Sequence, residues 1–183
     1  VFNPPWIRER SMFFNIRQLE RGKMRFEKAY APGVIDFFDP QQRQTAPLIS
    51  SGTAELKEAL MEIHVEGHLK TQMEVFCDRC LEPISLPIDT DFDVLYRSAE
   101  YMPTSEEVEV IDREAEVGFY EGDGLDLKDL LREQVLLALP MHQVCREDCR
   151  GICPVCGQNR NKTECGCRQE LTVDDRWAGL KDL

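Results

Sequence analysis

From Ala59 to Cys77 the odd-numbered positions read Ala59, Met61, Ile63, Val65, Gly67, Leu69, Thr71, Met73, Val75 and Cys77, while the even ones are mostly Glu, His, Lys and Gln. A period of two places alternate side chains on opposite faces of an extended chain. The pattern predicts two half-buried strands, joined or bent near Glu66-Gly67, with one face in a core and one in water. The alternation resumes at Ile84, Leu86, Ile88, Thr90, Phe92, Val94 and Tyr96, so Cys77 and Cys80 fall on a turn between strands. Residues 98–116 are acidic and irregular and read as a loop or exposed insertion. The period then changes. Asp126 opens the leucine-rich run Leu127 to Ala138, which reads as a helix capped by a short acidic side chain, stopped by Pro140 and buried over a wide face. Beyond Pro140 six cysteines fall within 23 residues, and residues 174–180 read as a short helix anchored by Trp177 and Leu180. The first eleven residues, with Pro4-Pro5, show no period; the expectation is a disordered leader over 1–11, with Met12 as the natural start. No internal repeat is evident.

Charge changes this picture. The 183 residues carry 34 acidic and 22 basic side chains, a net charge of −12, which argues against a uniformly basic clamp on nucleic acid. The acidity is local. Residues 1–50 carry +3, residues 51–139 carry −15, and residues 140–183 carry 0. A hydrophobic content of 42% suffices for a folded core. The longest apolar stretch, Val135 to Met141, is far short of a membrane span of roughly 20 residues, so no membrane contact is expected. Arg8, Glu9, Arg10 and Arg17 stand where a secretory signal would place its apolar block, which makes the cytoplasm the expected compartment.

The eight cysteines are about 4% of the chain, too few for a disulfide scaffold, and in a reducing compartment their short spacings point to metal. Cys153, Cys156, Cys165 and Cys167 have the spacing of a compact four-thiolate site, in which Pro154 and Gly157 favour the tight turn that presents two sulfurs to one ion. Cys77, Cys80, Cys145 and Cys149 would form a second site. The alternative places Cys145, Cys149, Cys153 and Cys156 together and sends Cys77 and Cys80 to Cys165 and Cys167; the first grouping is preferred because it needs only one long-range closure. Zinc is the favoured ion, an iron-sulfur cluster being the other metal option. A redox dithiol at Cys77-x-x-Cys80 is disfavoured, since such pairs open a helix in a βαβ unit and this one follows a strand. Two sites closed by four protein ligands leave no place for an activated water and read as structural.

Other chemistry is weaker. His64 and His68, with Glu62 and Glu66, fall on the water-facing parity of a strand, and His142 is a candidate substitute ligand or partner to the cysteines. Asp89-x-Asp91-x-Asp93 imitates a calcium loop, but Val94 occupies the place that needs glycine. Arg17, Arg21, Lys23 and Arg25 share a parity and would line one side of an extended edge strand or an RNA contact. Arg146, Arg150, Arg160, Lys162 and Arg168 lie between the metal turns and could meet phosphate or solvent. No phosphate loop, nucleophile elbow or catalytic triad pattern is present, so no catalytic residues, no small-molecule cofactor site and no small-molecule substrate are expected. A zinc- or dithiol-dependent hydrolase or oxidoreductase is the rival class.

Three stretches, Cys77-Asp78-Arg79-Cys80-Leu81-Glu82-Pro83, Leu136-Leu137-Ala138-Leu139-Pro140 and Cys145 through Gly157, together with Asp175-Arg176-Trp177-Ala178-Gly179-Leu180, resemble the YceD family of large ribosomal RNA subunit accumulation proteins. The resemblance runs from about Met12 to Leu183 and implies a role in synthesis, processing or stability of 23S ribosomal RNA, with ribosomal RNA and a basic large-subunit ribosomal protein as partners. Relatives in that family that keep the first cysteine pair and a later Cys/His pair but lack the last four cysteines favour the two-site grouping. The combined expectation is an α+β protein. An antiparallel β-rich domain over 12–140 ends in one buried helix, and a zinc-binding segment over 141–183 carries a short C-terminal helix. Its function is expected to be non-enzymatic.

Overall fold

The computed structural model describes residues 12–57, 61–101 and 117–167. In chain order the elements are β1 (Phe13–Asn15), α1 (Ile16–Leu19), β2 (Met24–Tyr30), β3 (Arg43–Gln44), β4 (Leu48–Lys57), β5 (Glu62–Phe76), β6 (Pro83–Ser98), β7 (Val117–Tyr120), β8 (Gly124–Asp126) and α2 (Leu127–Ala138), with a 3-10 turn at Ala99–Tyr101. Six strands form one sheet in the order β2-β4-β5-β6-β7, with β3 paired to β5, and β1 pairs with β8 in a second, two-stranded sheet. The expected leader over 1–11, the terminal helix over 174–180 and most of the acidic stretch lie outside the described residues. By its internal contacts the chain falls into two units, Val1–Val75 with Ser85–Met141, and Phe76–Ile84 with His142–Leu183.

In the first unit the alternation of β5 becomes burial. Ile63, Val65, Leu69, Met73 and Val75 are fully buried. The expected pair of strands joined or bent at Glu66-Gly67 is instead one strand of 15 residues. Gly67 stands opposite Gly52 of β4. A Cβ on Gly67 would lie 2.6 Å from the Ser51 carbonyl oxygen and 2.8 Å from the Phe92 ring, and one on Gly52 would lie 2.8 Å from the Phe26 ring. The glycine therefore serves close approach of an aromatic ring, not a turn.

Two further expectations change. Glu62, placed on the water-facing parity, is buried and accepts hydrogen bonds from Arg97 Nε at 3.0 Å and its terminal nitrogen at 2.7 Å. A partnered carboxylate can sit where an unpaired one would not. The sheet is mixed, because β7 runs parallel to β6 with Leu95 opposite Val117 and Ser98 opposite Tyr120. The 18 residues between these strands are long enough for the crossover that parallel pairing requires.

The basic residues near the N-terminus do not share one strand. Arg17 lies in α1 and Arg21 in the turn after it; Arg25 is on β2, an edge of the six-stranded sheet, and Lys23 donates to Glu66 at 2.8 Å. His68 is held between Asp89 at 3.0 Å and Asp91 at 2.8 Å, and His64 between Asp93 at 2.6 Å and Glu55 at 3.4 Å, so the calcium-like aspartates form cross-strand pairs.

Asp126 caps α2, its side chain accepting from the Lys128 N–H at 2.8 Å. Only one stripe of the helix is buried, Leu127, Leu130, Leu131 and Val135, while Leu137 is 71% exposed. The helix is thus half-buried, narrower in its packed face than its leucine content suggests. No helix among the described residues is long and apolar enough to cross a membrane.

Candidate metal centres

All eight cysteines belong to the second unit. Its frame is a turn used twice. In Cys77–Glu82, the Cys77 N–H donates to the Glu82 carbonyl at 2.9 Å and the Leu81 N–H to the Cys77 carbonyl at 2.9 Å. In Cys153–Gln158, the Cys153 N–H donates to the Gln158 carbonyl at 2.8 Å and the Gly157 N–H to the Cys153 carbonyl at 2.8 Å. The fifth residue is left-handed in both, Gly157 at φ +73° and Leu81 at φ +59°. Glycine takes that conformation freely, whereas leucine does so at a cost of about 1–2 kcal/mol.

This geometry aims backbone N–H groups at the first sulfur of each turn. Burial raises the Cys77 thiol, but N–H donors from Cys145, Cys80 and Arg79 outweigh it and bring the group down to about 6. The N–H groups of Cys156 and Val155 bring Cys153 down to about 6 as well. Donors to sulfur favour the thiolate, the form that binds metal.

Two more segments complete the sulfur clusters. The Asp78 N–H donates to the Gln143 carbonyl at 2.7 Å and the Gln143 N–H to the Asp78 carboxylate at 2.8 Å, which sets Cys145 beside the first turn. Arg79 donates to the carbonyls of Glu147 at 3.0 Å and Cys149 at 3.2 Å, and its own carbonyl accepts from the Ile152 N–H at 2.9 Å. The sulfurs consequently gather as Cys77, Cys80, Cys145 and Cys149, and as Cys153, Cys156, Cys165 and Cys167, each four within 4.8 Å of one another. This is the first of the two groupings read from sequence. His142 stands apart, its side chain 91% exposed and 3.9 Å from Asp78.

The donor set fits a tetrahedral ion. Four sulfurs bonded at about 2.3 Å to one centre stand about 3.8 Å apart. Cys77 and Cys149 Sγ are 3.9 Å apart, and Cys80 and Cys145 Sγ 3.7 Å. Burial and the neighbouring sulfurs push Cys145 up to about 12, and hydrogen bonding to Cys156 together with burial does the same to Cys167. Four thiols this close resist full ionisation on their own, and a divalent cation removes that repulsion. Both tetrads can therefore hold a metal ion. The first is the drier, with Cys77, Cys80 and Cys149 buried; in the second only Cys153 is.

Sequence reasoning missed the groups that orient these sulfurs. Asn161 Nδ2 donates to Cys149 Sγ at 3.2 Å, while its Oδ1 accepts from the Arg150 N–H and from Arg146, both at 2.9 Å. Asn159 accepts from the Asn161 N–H at 2.9 Å and donates to Glu82 at 3.2 Å. The alternation Asn159-Arg160-Asn161 was the available signal, since short amide side chains often bond nearby backbone. Replacing Asn161 with alanine removes a donor to sulfur and two loop contacts. It is expected to weaken metal retention at the first tetrad about ten-fold or more, read by chelator competition, and to leave the second tetrad unchanged.

The cations between the turns are already engaged. Arg146 pairs with Asp148 at 3.2 Å, Arg150 with Glu164 at 3.3 Å and Lys162 with Glu82 at 2.7 Å, and Arg160 points a terminal nitrogen at Cys153 Sγ at 3.8 Å. Arg168 lies outside the described residues.

Comparison with known proteins places these turns in a wider setting. An uncharacterised protein of Mycobacterium tuberculosis is 36% identical over 107 residues, which cover 58% of this chain and 48% of that protein. A protein of Arabidopsis thaliana named large ribosomal RNA subunit accumulation protein YCED homolog 1, chloroplastic, is 25% identical over a match covering 60% of this chain and 40% of that protein. The chain thus spans about half or less of the length of these relatives. No solved structure matches. A family model described as large ribosomal RNA subunit accumulation protein YceD matches residues 65–183, a stretch that takes in most of β5, all of β6 and α2 and every cysteine, and on that match the chain belongs to the YceD family.

Proposed function

We infer that this chain is a non-enzymatic factor in biogenesis of the large ribosomal subunit, supporting synthesis, processing or stability of 23S ribosomal RNA in the cytoplasm. The observation that carries the reading is family membership over the stretch that contains both tetrads. Each tetrad holds one structural zinc ion, Cys77, Cys80, Cys145 and Cys149 the first and Cys153, Cys156, Cys165 and Cys167 the second. Zinc bound there offsets half of the charge of four thiolates and cross-links distant segments. Four thiolates complete its shell and leave no position for a reacting water, which favours a structural role over hydrolysis. In this organisation a β-rich domain over 12–140 ends in α2, and the metal-binding segment over 141–183 draws Cys77 and Cys80 into its first centre.

The charge distribution supports a division of labour between the partners. The −15 of residues 51–139 suits a basic large-subunit ribosomal protein. Contact with ribosomal RNA falls to the N-terminal basic residues or the arginines of the metal segment, although the acceptors already engaging Arg146, Arg150, Arg160 and Lys162 reduce what phosphate would gain there. Crosslinking in cells, with sequencing of bound RNA and identification of bound proteins, tests the reading. Enrichment of 23S precursors or of a large-subunit protein is expected, as is a fall in 23S relative to 16S RNA on depletion. Enrichment of neither, with an unchanged RNA ratio, would contradict it.

A further inference from the structure

The surface around α2 carries features that its packing does not explain. Asp129 and Glu133, one helical turn apart, are both exposed, with one oxygen of each engaged, Asp129 by Arg132 and Glu133 by the Tyr96 hydroxyl. On one side of them lies a cleft of about 340 Å3 walled by β1, β7 and β8. Phe13 and Phe119 line it while remaining 44% and 46% exposed. Glu121, Asp126, Asp129 and Glu133 also line it, and among the described residues no lysine or arginine does. On the other side Phe38, 74% exposed, and Leu137 border a second hollow of about 460 Å3 that shares Asp129 and Glu133.

Phe38 sharpens the case. It holds φ +62°, where a bulky residue is strained, and its N–H donates to Asp36 Oδ1 at 2.9 Å. Strain and aromatic exposure at one residue cost stability twice, a combination that points to use at a binding surface. The neighbouring cation is already committed: Arg132 lies 4.5 Å over the Phe38 ring and pairs with Asp129.

Aromatic side chains beside an apolar cleft provide the anchor of an interface, and the carboxylates at its edge select the charge of what enters. Phosphate is repelled, which disfavours RNA here. A second copy of this chain would bring its own net charge of −12 to an acidic surface. We propose that this surface receives a Lys/Arg-rich segment of a basic protein, with an apolar side chain seated between Phe13 and Phe119 and flanking cations meeting Glu121 and the oxygens of Asp129 and Glu133 that Arg132 and Tyr96 leave open. The proposal rests on the ribosomal reading above and deepens it, by locating where a basic ribosomal protein would dock.

The test titrates the full, metal-loaded chain with individually purified basic proteins of the large ribosomal subunit and reads affinity by fluorescence anisotropy at low and high salt. At least one is expected to bind, more weakly as salt rises. Phe119→Ala, and separately Glu121→Gln with Glu133→Gln, should each weaken it about ten-fold or more. Asp91→Asn, on the acidic face that holds His68, should leave it unchanged. Circular dichroism and metal content confirm that each variant is folded. Binding unaffected by the groove variants, a loss that follows Asp91→Asn instead, or no binding to any of these proteins would overturn the groove. The last result, beside a fall in 23S RNA on depletion, would remove the groove and leave the ribosomal reading standing; an unchanged RNA ratio beside groove-dependent binding would do the reverse.

Discussion

Replacing Cys145 with serine is expected to lower the metal content from two ions per chain to one and to unfold the segments that meet at the first tetrad. The sulfur of Cys145 stands 3.7 Å from that of Cys80, and the Cys145 N–H donates to Cys77 Sγ at 3.3 Å, so one substitution removes a ligand and disturbs the neighbour of another. The cluster joins a turn at 77–80 to a loop at 145–149, more than 60 residues away along the chain. Closing a loop of that length costs entropy that a structural zinc, contributing on the order of 10 kcal/mol, readily offsets. Without the ion, these segments keep the small apolar cluster that Cys77, Cys80 and Cys149 form with Ile84 and Val144 and the hydrogen bonds of Asp78 and Arg79 to the 143–152 loop, too little to hold four sulfurs together. Elemental analysis reads the stoichiometry, and limited proteolysis between residues 142 and 152 reads the unfolding. Cys165→Ser makes the complementary case, with loss of the second ion and persistence of the first. Loss of both ions from either variant would mean that the tetrads do not fold separately.

Gly67→Val is expected to destabilise the first unit by about 3 kcal/mol or more, a shift visible in chemical denaturation. The added branch meets the Ser51 carbonyl and the Phe92 ring, both closer than 3 Å to the first new carbon. Neither can withdraw easily, because Ser51 is in β4 and Phe92 is buried on β6. Overpacking alone costs about 1–3 kcal/mol, and displacement of paired backbone adds to it. An unchanged midpoint would show that the sheet relaxes around this position and that the close approach of the aromatic rings is not a determinant of the fold.

Gly67 also shows where a one-dimensional pattern stops being sufficient. Period-two alternation identified the buried side of β5 because each inward residue from Ile63 to Val75 follows the pleat, and glycine within it resembled a break because its other common use is turning. Only the opposite strand, with Gly52 facing it and two rings laid nearby, reveals the actual use. The cap of α2 was legible because Asp126 acts on the N–H two residues ahead, a local interaction. The pairing of Glu62 with Arg97 and the parallel register of β7 depend on residues 35 and 22 positions apart, which no local rule reaches. Among the cysteines, short spacing and the single long closure anticipated how the sulfurs gather. Gly157 advertised the left-handed fifth position of its turn, while Leu81 concealed the same conformation in the other, so the repeated turn escaped notice. Asn161 was invisible as a partner of sulfur because its role exists only once Cys149 has been folded beside it.

The central claim is that the eight cysteines are committed to two closed structural zinc centres. Native mass spectrometry of the full chain, combined with timed alkylation by a thiol reagent, tests it most directly. The account predicts a mass corresponding to two zinc ions with reduced cysteines, and labelling that stays slow at Cys77 and Cys80 until a chelator removes the metal. Rapid labelling of either cysteine with zinc still bound, or a chain carrying disulfides in place of metal, would contradict it.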